Sequence, residues 1–104
     1  MKGEMTKRIK SVEISEVVIQ PVKPTSKGLV AYISFIYNNE LKINDCQIIT
    51  RPSGGFRILY PLKPLSNGKI VSVVFPIEKE IGQQLEDKLL KEYANFLGKF
   101  GVKL

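Results

Sequence analysis

The sequence predicts an α+β fold: an antiparallel β-sheet of about five strands, connected as a meander, followed by one C-terminal amphipathic helix. Two observations carry this prediction. Runs rich in Val, Ile and aromatic residues alternate with Pro, Gly and Asn turn residues as far as Phe75, as in strands joined by short connections. From about Ile77 to Leu97, apolar residues instead recur every four positions, which is the spacing of a helix with one buried face.

The first two strands are predicted over residues 12–22 and Leu29–Tyr37. The first is rich in Val and Ile, and its apolar phase slips between Ile14 and Val17, which predicts a bend or a bulge there. The second is β-branched and aromatic throughout. An Asn-Asn pair follows it, and asparagine tolerates the positive φ of a tight hairpin turn, so a hairpin is expected at this point.

The return strand is predicted over Leu41–Thr50, with shorter strands over residues 56–60 and 70–75. Strict alternation along the return strand places its apolar side chains on two faces, with Leu41, Ile43 and Ile49 on one and Cys46 and Ile48 on the other. Either Gly98 or Gly101 would end the helix, because glycine favours the position just after a helix C-terminus.

The chain is expected to form one domain over residues 12–104, preceded by a flexible basic leader over residues 1–11. No apolar run approaches the roughly 20 residues that span a bilayer, and no signal-peptide pattern follows the N-terminus. The single cysteine, Cys46, permits no intramolecular disulfide and is expected to be a small buried hydrophobe. These observations favour a cytoplasmic protein that contacts no membrane.

Enzymes that rely on an activated nucleophile are disfavoured by the composition. The chain has no histidine, so Cys–His and Ser–His pairs cannot be built, and one cysteine with carboxylates is not a structural zinc pattern. Gly54-Gly55 lacks the spacing of a phosphate-binding loop and precedes a strand. We therefore expect no catalytic residue, no metal, no cofactor and no small-molecule substrate.

Positive charge is concentrated in the predicted sheet. The chain carries a net charge of +6, and residues 77–104 contain five basic and five acidic residues, so the whole surplus lies in residues 1–76. Between Asp45 and Glu78 there is no acidic residue. That stretch contains the four basic residues predicted to contact nucleic acid, which are Arg51, Arg57, Lys63 and Lys69.

Lys27 or Lys42 would extend this basic patch. Phe56 and Tyr60 are interleaved with the basic residues, and exposed aromatic rings could stack on unpaired bases. The alternative is that both rings belong to the core and that the charges are only solvated.

In the order and spacing of several short segments, the chain resembles the SpoVG family (stage V sporulation protein G, or septation protein). Ile14-Ser15-Glu16-Val17 resembles the V-T-D-V that opens the family pattern, and Glu92-Tyr93 resembles the E-Y near the end of its helix. The other matching positions lie between these two segments, at Ala31, Ser34, Asp45, Gly55, Pro61, Lys63, Asn67-Gly68 and Pro76-Ile77. The resemblance implies a small bacterial regulator that binds DNA or RNA and acts as a homodimer.

Several positions depart from the family pattern. Pro64 and Gln47 stand where the family usually has arginine, Asn44 replaces a histidine, and Ile70-Val71-Ser72 replaces F-R-D. Arg51 and Arg57 are basic where the family is usually not, and could compensate. The lost arginines favour the alternative function, a protein–protein interaction module without nucleic-acid binding that uses a sheet edge or the apolar helix face.

Overall fold

The computed structural model describes residues 11–99 of the chain. The predicted leader lies outside the described residues except for Ser11, and so does Gly101. The described part contains six strands and one helix, which are β1 (Ile14–Pro21), β2 (Leu29–Tyr37), β3 (Leu41–Thr50), β4 (Phe56–Leu59), β5 (Leu62–Pro64), β6 (Ile70–Ser72) and α1 (Lys79–Lys99). The α+β fold class, with an antiparallel sheet followed by a C-terminal helix, is therefore confirmed.

The main sheet has four antiparallel strands in the order β1-β2-β3-β4, which is a meander. Its central hairpin turns at Asn38 and Asn39, whose φ angles are 49° and 57°. Two successive residues with positive φ form the kind of turn that matches the twist of the flanking strands, and asparagine adopts this conformation at low cost. The predicted hairpin is confirmed.

Bulges in β1 and β3 decide which side chains reach the core. In β1 the pairing with β2 shifts between Ser15 and Val18, as the slip in apolar phase predicted. In β3 the pairing shifts between Ile43 and Cys46, because the bulge there, with Asp45 at a φ of 59°, takes up one extra residue. Ile43 is consequently buried on the same face as Cys46 and Ile48, so the predicted division of β3 into two faces was wrong.

Strands β5 and β6 form a separate two-stranded hairpin, in which Leu62 pairs with Ser72 and Pro64 with Ile70. The sequence did not predict β5, which has only three residues and ends in a proline. The strand predicted over residues 70–75 is shorter than expected and ends at Ser72.

Helix α1 lies against one face of the main sheet. Its buried residues are Leu85, Leu89 and Tyr93, which join the apolar side chains of the strands in a single core. Ile77 fits the four-residue spacing of the helix but precedes its first residue, and it is 88% exposed. The helix continues through Gly98, which is therefore not its stop. Within residues 11–99 no helix is long and apolar enough to cross a membrane.

Candidate nucleic-acid interface

The main sheet has an inner face against α1 and an outer face on the opposite side. The inner face holds the buried strand residues, among them Ile33, Ile48 and Ile58. Strand alternation and pairing assign the other set of side chains to the outer face. We define the outer face by Val18, Gln20, Leu29, Tyr32, Ser34, Ile36, Lys42, Gln47, Ile49, Arg57 and Leu59.

Two basic residues point to this outer face from different strands. Lys42 pairs with Ile36 near the β2–β3 turn, and Arg57 pairs with Ile49 near the start of β4. Both are exposed. They lie toward opposite ends of β3, so positive charge is available along the length of the face.

Lys27 joins this group from the loop before β2. It lines a hollow of about 410 Å³, whose other walls are outer-face residues and the neighbouring turn, namely Thr25, Ser26, Leu29, Gln47, Ile49 and Leu59. The turn is fixed locally, because the Thr25 hydroxyl accepts hydrogen bonds from the Lys27 and Leu29 N–H groups at 3.3 and 3.2 Å. The Lys27 backbone is thereby held at the rim of the hollow.

Acidic residues lie in both bulges beside the outer face, Glu16 in β1 and Asp45 in β3. Asp45 lies in the β3 bulge, and its N–H donates a hydrogen bond to the Ser34 hydroxyl at 2.9 Å. A carboxylate at this point repels phosphate, so the Ser34 region is the least favourable part of the face for a polyanion.

Arg51 lies on the helix side of the sheet, apart from Arg57. Its Nη2 is 3.9 Å from Oε1 of Glu86 on α1, and the Arg51 side chain is 48% exposed. Oε2 of Glu86 also accepts a hydrogen bond of 2.9 Å from the N–H of Ile58. The carboxylate therefore contacts both the arginine and strand β4, and it offsets part of the positive charge of Arg51.

Lys63 and Lys69 lie on the β5–β6 hairpin. Lys63 pairs with Val71, two positions along β6 from Lys69, so alternation puts both lysines on one face of the hairpin. Both are exposed. The structure thus distributes the four predicted contact residues over three places. Arg57 shares the outer face with Lys42 and with Lys27 at its border.

The two aromatic residues considered for base stacking, Phe56 and Tyr60, pack against the core. Phe56 packs edge to face on Tyr93, with ring centroids 5.1 Å apart, and the Tyr60 hydroxyl is buried. Neither ring is therefore exposed for stacking on a base, in agreement with the alternative prediction that both rings belong to the core. The aromatic residue of the outer face is Tyr32. Its neighbours Ala31 and Ile33 are buried, so alternation along β2 would have predicted that Tyr32 points to the opposite face.

Cys46 is fully buried in β3. Burial, reinforced by the charge of Asp45, raises the pKa of its thiol to about 12, so it remains protonated and unreactive at neutral pH. The expected role as a small buried hydrophobe is confirmed. Across residues 11–99 no group of three or more Cys, Asp or Glu side chains comes together in a way that could hold a metal ion.

A sequence model of the SpoVG family matches residues 12–95, which include every strand and most of the helix. The chain belongs to the SpoVG family. A Thermoanaerobacter protein is 27% identical over 82 residues, covering 79% of this chain and 87% of its own. A Bdellovibrio bacteriovorus protein is 27% identical over 93 residues, covering 89% of this chain and 83% of its own. An Acholeplasma laidlawii protein is 24% identical over 86 residues, covering 83% of this chain and 89% of its own. Each of these relatives carries the name septation protein SpoVG.

Proposed function

We propose that this SpoVG-family protein is a non-catalytic regulator that binds DNA or RNA as a homodimer in the cytoplasm. The observation that supports it best is the grouping of Lys27, Lys42 and Arg57 along one face of the sheet. A flat sheet face with separated cations can follow a phosphate backbone, because each lysine or arginine that neutralises a phosphate releases condensed counterions.

Other outer-face side chains can contact the bases of a nucleic acid, in addition to the contacts that the cations make with its phosphates. Gln47 and Gln20 both pair with Tyr32 across the strands, so two amides flank one aromatic ring. Amide side chains form hydrogen bonds with base edges, and an aromatic ring stacks on an unpaired base. This combination favours single-stranded nucleic acid, whose bases are accessible to a sheet surface.

The test is fluorescence anisotropy of the purified protein with labelled single-stranded RNA, single-stranded DNA and duplex DNA. Three phosphate contacts per protomer would be six per dimer, so affinity should fall by roughly 10³-fold between about 50 and 200 mM salt. Binding to one of the three nucleic acids with an affinity that falls steeply as salt rises supports the proposal and identifies the class of nucleic acid. Absence of binding to all three at low salt contradicts it.

The four residues predicted from the sequence give a second test. If the sequence-based prediction of Arg51 and Lys63 as contacts is right, reversing both charges together should weaken binding to all sequences and lower the salt dependence. Unchanged affinity in this double variant would remove both residues from the interface and leave the outer face as the binding surface.

The alternative, a protein-interaction module without nucleic-acid binding, draws support from the exposed apolar residues of the segment 62–77. It predicts a specific protein partner that still co-purifies after nuclease treatment. If every co-purifying protein is lost on nuclease digestion, this alternative is wrong. The apolar face of α1 is already buried against the sheet and leaves little surface for such a partner.

A further inference from the structure

The hollow beside Lys27 has the composition of a small-ligand pocket. Its volume of about 410 Å³ lies within the range of such pockets. Its lining combines three apolar side chains with two hydroxyls, one ammonium and one amide, and none of these described lining residues carries a carboxylate. Apolar walls with a few polar groups are typical of sites that bind planar, partly polar molecules. The absence of a carboxylate from the lining removes the repulsion that a negatively charged ligand would otherwise meet.

The turn at one side of the hollow is held in place by its own hydrogen bonds. The Thr25 N–H donates to the Leu29 carbonyl at 3.2 Å, and the Gly28 N–H donates to the Thr25 carbonyl at 2.9 Å. The Gly28 carbonyl accepts a hydrogen bond of 2.9 Å from the N–H of Thr50, which ties the turn to the end of β3. A preformed wall of this kind spares a ligand the entropic cost of ordering a loop.

Two polar groups of the hollow can only donate hydrogen bonds. The Thr25 hydroxyl accepts the N–H groups of Lys27 and Leu29, which occupy both of its lone pairs, so its own hydrogen is left for an acceptor. The Lys27 ammonium has three donors and no acceptor. The amide of Gln47, which lies in β3, can both donate and accept. A molecule in the hollow must therefore present a hydrogen-bond acceptor toward the turn.

The surroundings of the hollow fit a single strand of nucleic acid. Lys27 lies at the rim, and the exposed Arg57 pairs with Ile49, which is one of the apolar walls. Tyr32 pairs with Gln47 and so lies beside the hollow on the same face. A strand that crosses the face can place phosphates near the two cations, one base in the hollow and a neighbouring base on the Tyr32 ring.

We propose that the hollow binds one unpaired keto base (uracil, thymine or guanine) of a single-stranded nucleic acid and discriminates against the amino bases cytosine and adenine. This inference rests on the nucleic-acid binding of the proposed function and names the ligand of that surface. A keto base presents a carbonyl acceptor at the position where an amino base presents an N–H₂ donor. Toward Thr25 and Lys27 the carbonyl is paired, whereas an amino group meets further donors and stays unsatisfied. The Gln47 amide pairs with the rest of the base edge.

The test compares oligouridine with oligocytidine, each of about 12 nucleotides, by fluorescence anisotropy, and oligothymidine with oligodeoxycytidine in the same way. Each pair has the same charge and ring size, and its members differ in keto against amino character. The wild type should bind the keto strand about 10-fold more tightly. Lys27→Gln should weaken both complexes and bring their affinity ratio toward one, because glutamine accepts as well as donates. The matched control Lys42→Gln removes the same charge farther along the outer face and should preserve the ratio.

A second pair of variants locates the base on the face. Gln47→Met removes the hydrogen-bonding groups of one wall at similar volume, and it should lower the affinity for the keto strand by about 10-fold without changing the salt dependence. Gln20→Met makes the same change on the other side of Tyr32, outside the hollow, and should have a clearly smaller effect.

The outcomes separate the hollow from the proposed function. Equal affinity of the wild type for keto and amino strands, a preference that Lys27→Gln leaves unchanged, or equal effects of the two methionine substitutions would overturn the hollow as a keto-base site while nucleic-acid binding stands. Binding to duplex DNA alone would do the same. Absence of binding to every nucleic acid would overturn both.

Discussion

Glu86 joins helix α1 to the edge of the main sheet, and its substitution by alanine should destabilise the protein more than that of any nearby carboxylate. Its Oε2 accepts a hydrogen bond of 2.9 Å from the N–H of Ile58, and its Oε1 lies 3.9 Å from Nη2 of Arg51. Ile58 is on the outermost strand, where an N–H without a sheet partner would otherwise face the helix. The carboxylate satisfies this donor and closes part of an edge that could pair with another chain.

The expected loss follows from these two contacts. A hydrogen bond to a charged acceptor contributes about 1.5–3 kcal/mol, and removing the acceptor leaves the part-buried Ile58 N–H unsatisfied. The contact with Arg51 is long and half exposed, so it adds less than about 1 kcal/mol. Glu86→Ala should therefore lower the free energy of unfolding by about 2 kcal/mol, and Glu86→Gln, which keeps an acceptor, by about half of that.

Urea denaturation followed by circular dichroism at a fixed protein concentration measures this loss. The matched control is Asp87→Ala, because Asp87 is the exposed neighbour on the same helix and its contact is a surface hydrogen bond with Gln83. The control should change stability by less than about 0.5 kcal/mol. If Glu86→Ala and Asp87→Ala destabilise equally, the bond between helix and edge strand does not contribute as argued.

Three further predictions concern the turns and the core. Asn39→Val should cost about 1–2 kcal/mol in thermal unfolding, since a β-branched residue resists the positive φ of 57° there, whereas Asn39→Gly should be neutral or stabilising. Gly28→Ala should destabilise clearly in the same assay, because its φ is 87° and an added Cβ would lie 2.7 Å from the Thr50 hydroxyl; unchanged stability would argue against this close approach. Burial raises the pKa of Cys46 to about 12 from 9.0, and it also raises that of Tyr60, so the protonated forms stabilise the fold. The free energy of unfolding should hold below pH 9 and then fall by up to about 1.4 kcal/mol per pH unit for each group, from about pH 9 for Cys46 and from about pH 10 for Tyr60. Native Cys46 should resist alkylation at pH 8 until urea is added.

The elements with long, regular patterns were predictable from sequence alone. Leu29–Tyr37 and the Asn-Asn turn follow from local preference, and α1 follows from its spacing. The faces of β3 were not predictable, because the bulge at Asp45 shifts the alternation by one residue and leaves no separate sequence signal. Strand β5 is too short and too rich in proline to be recognised without its partner β6.

The candidate site was predictable in composition but not in arrangement. Counting charges located the basic surplus, yet strands bring residues together by register, and register depends on the bulges. Lys27 and Lys42 therefore share the outer face with Arg57, whereas Arg51 lies beside Glu86. Phe56 and Tyr60 looked available in the sequence, but the helix covers the face on which they lie.

The measurement that tests the account most directly is the salt dependence of nucleic-acid affinity in an outer-face variant. Lys42→Gln with Arg57→Gln removes two cations per protomer and four per dimer, so the slope of log affinity against log salt should become shallower by about 3 to 4. Lys88→Gln with Lys91→Gln makes the same change of charge on exposed positions of α1 and should leave the slope unchanged. Equal slopes in the two double variants would contradict binding through the outer face.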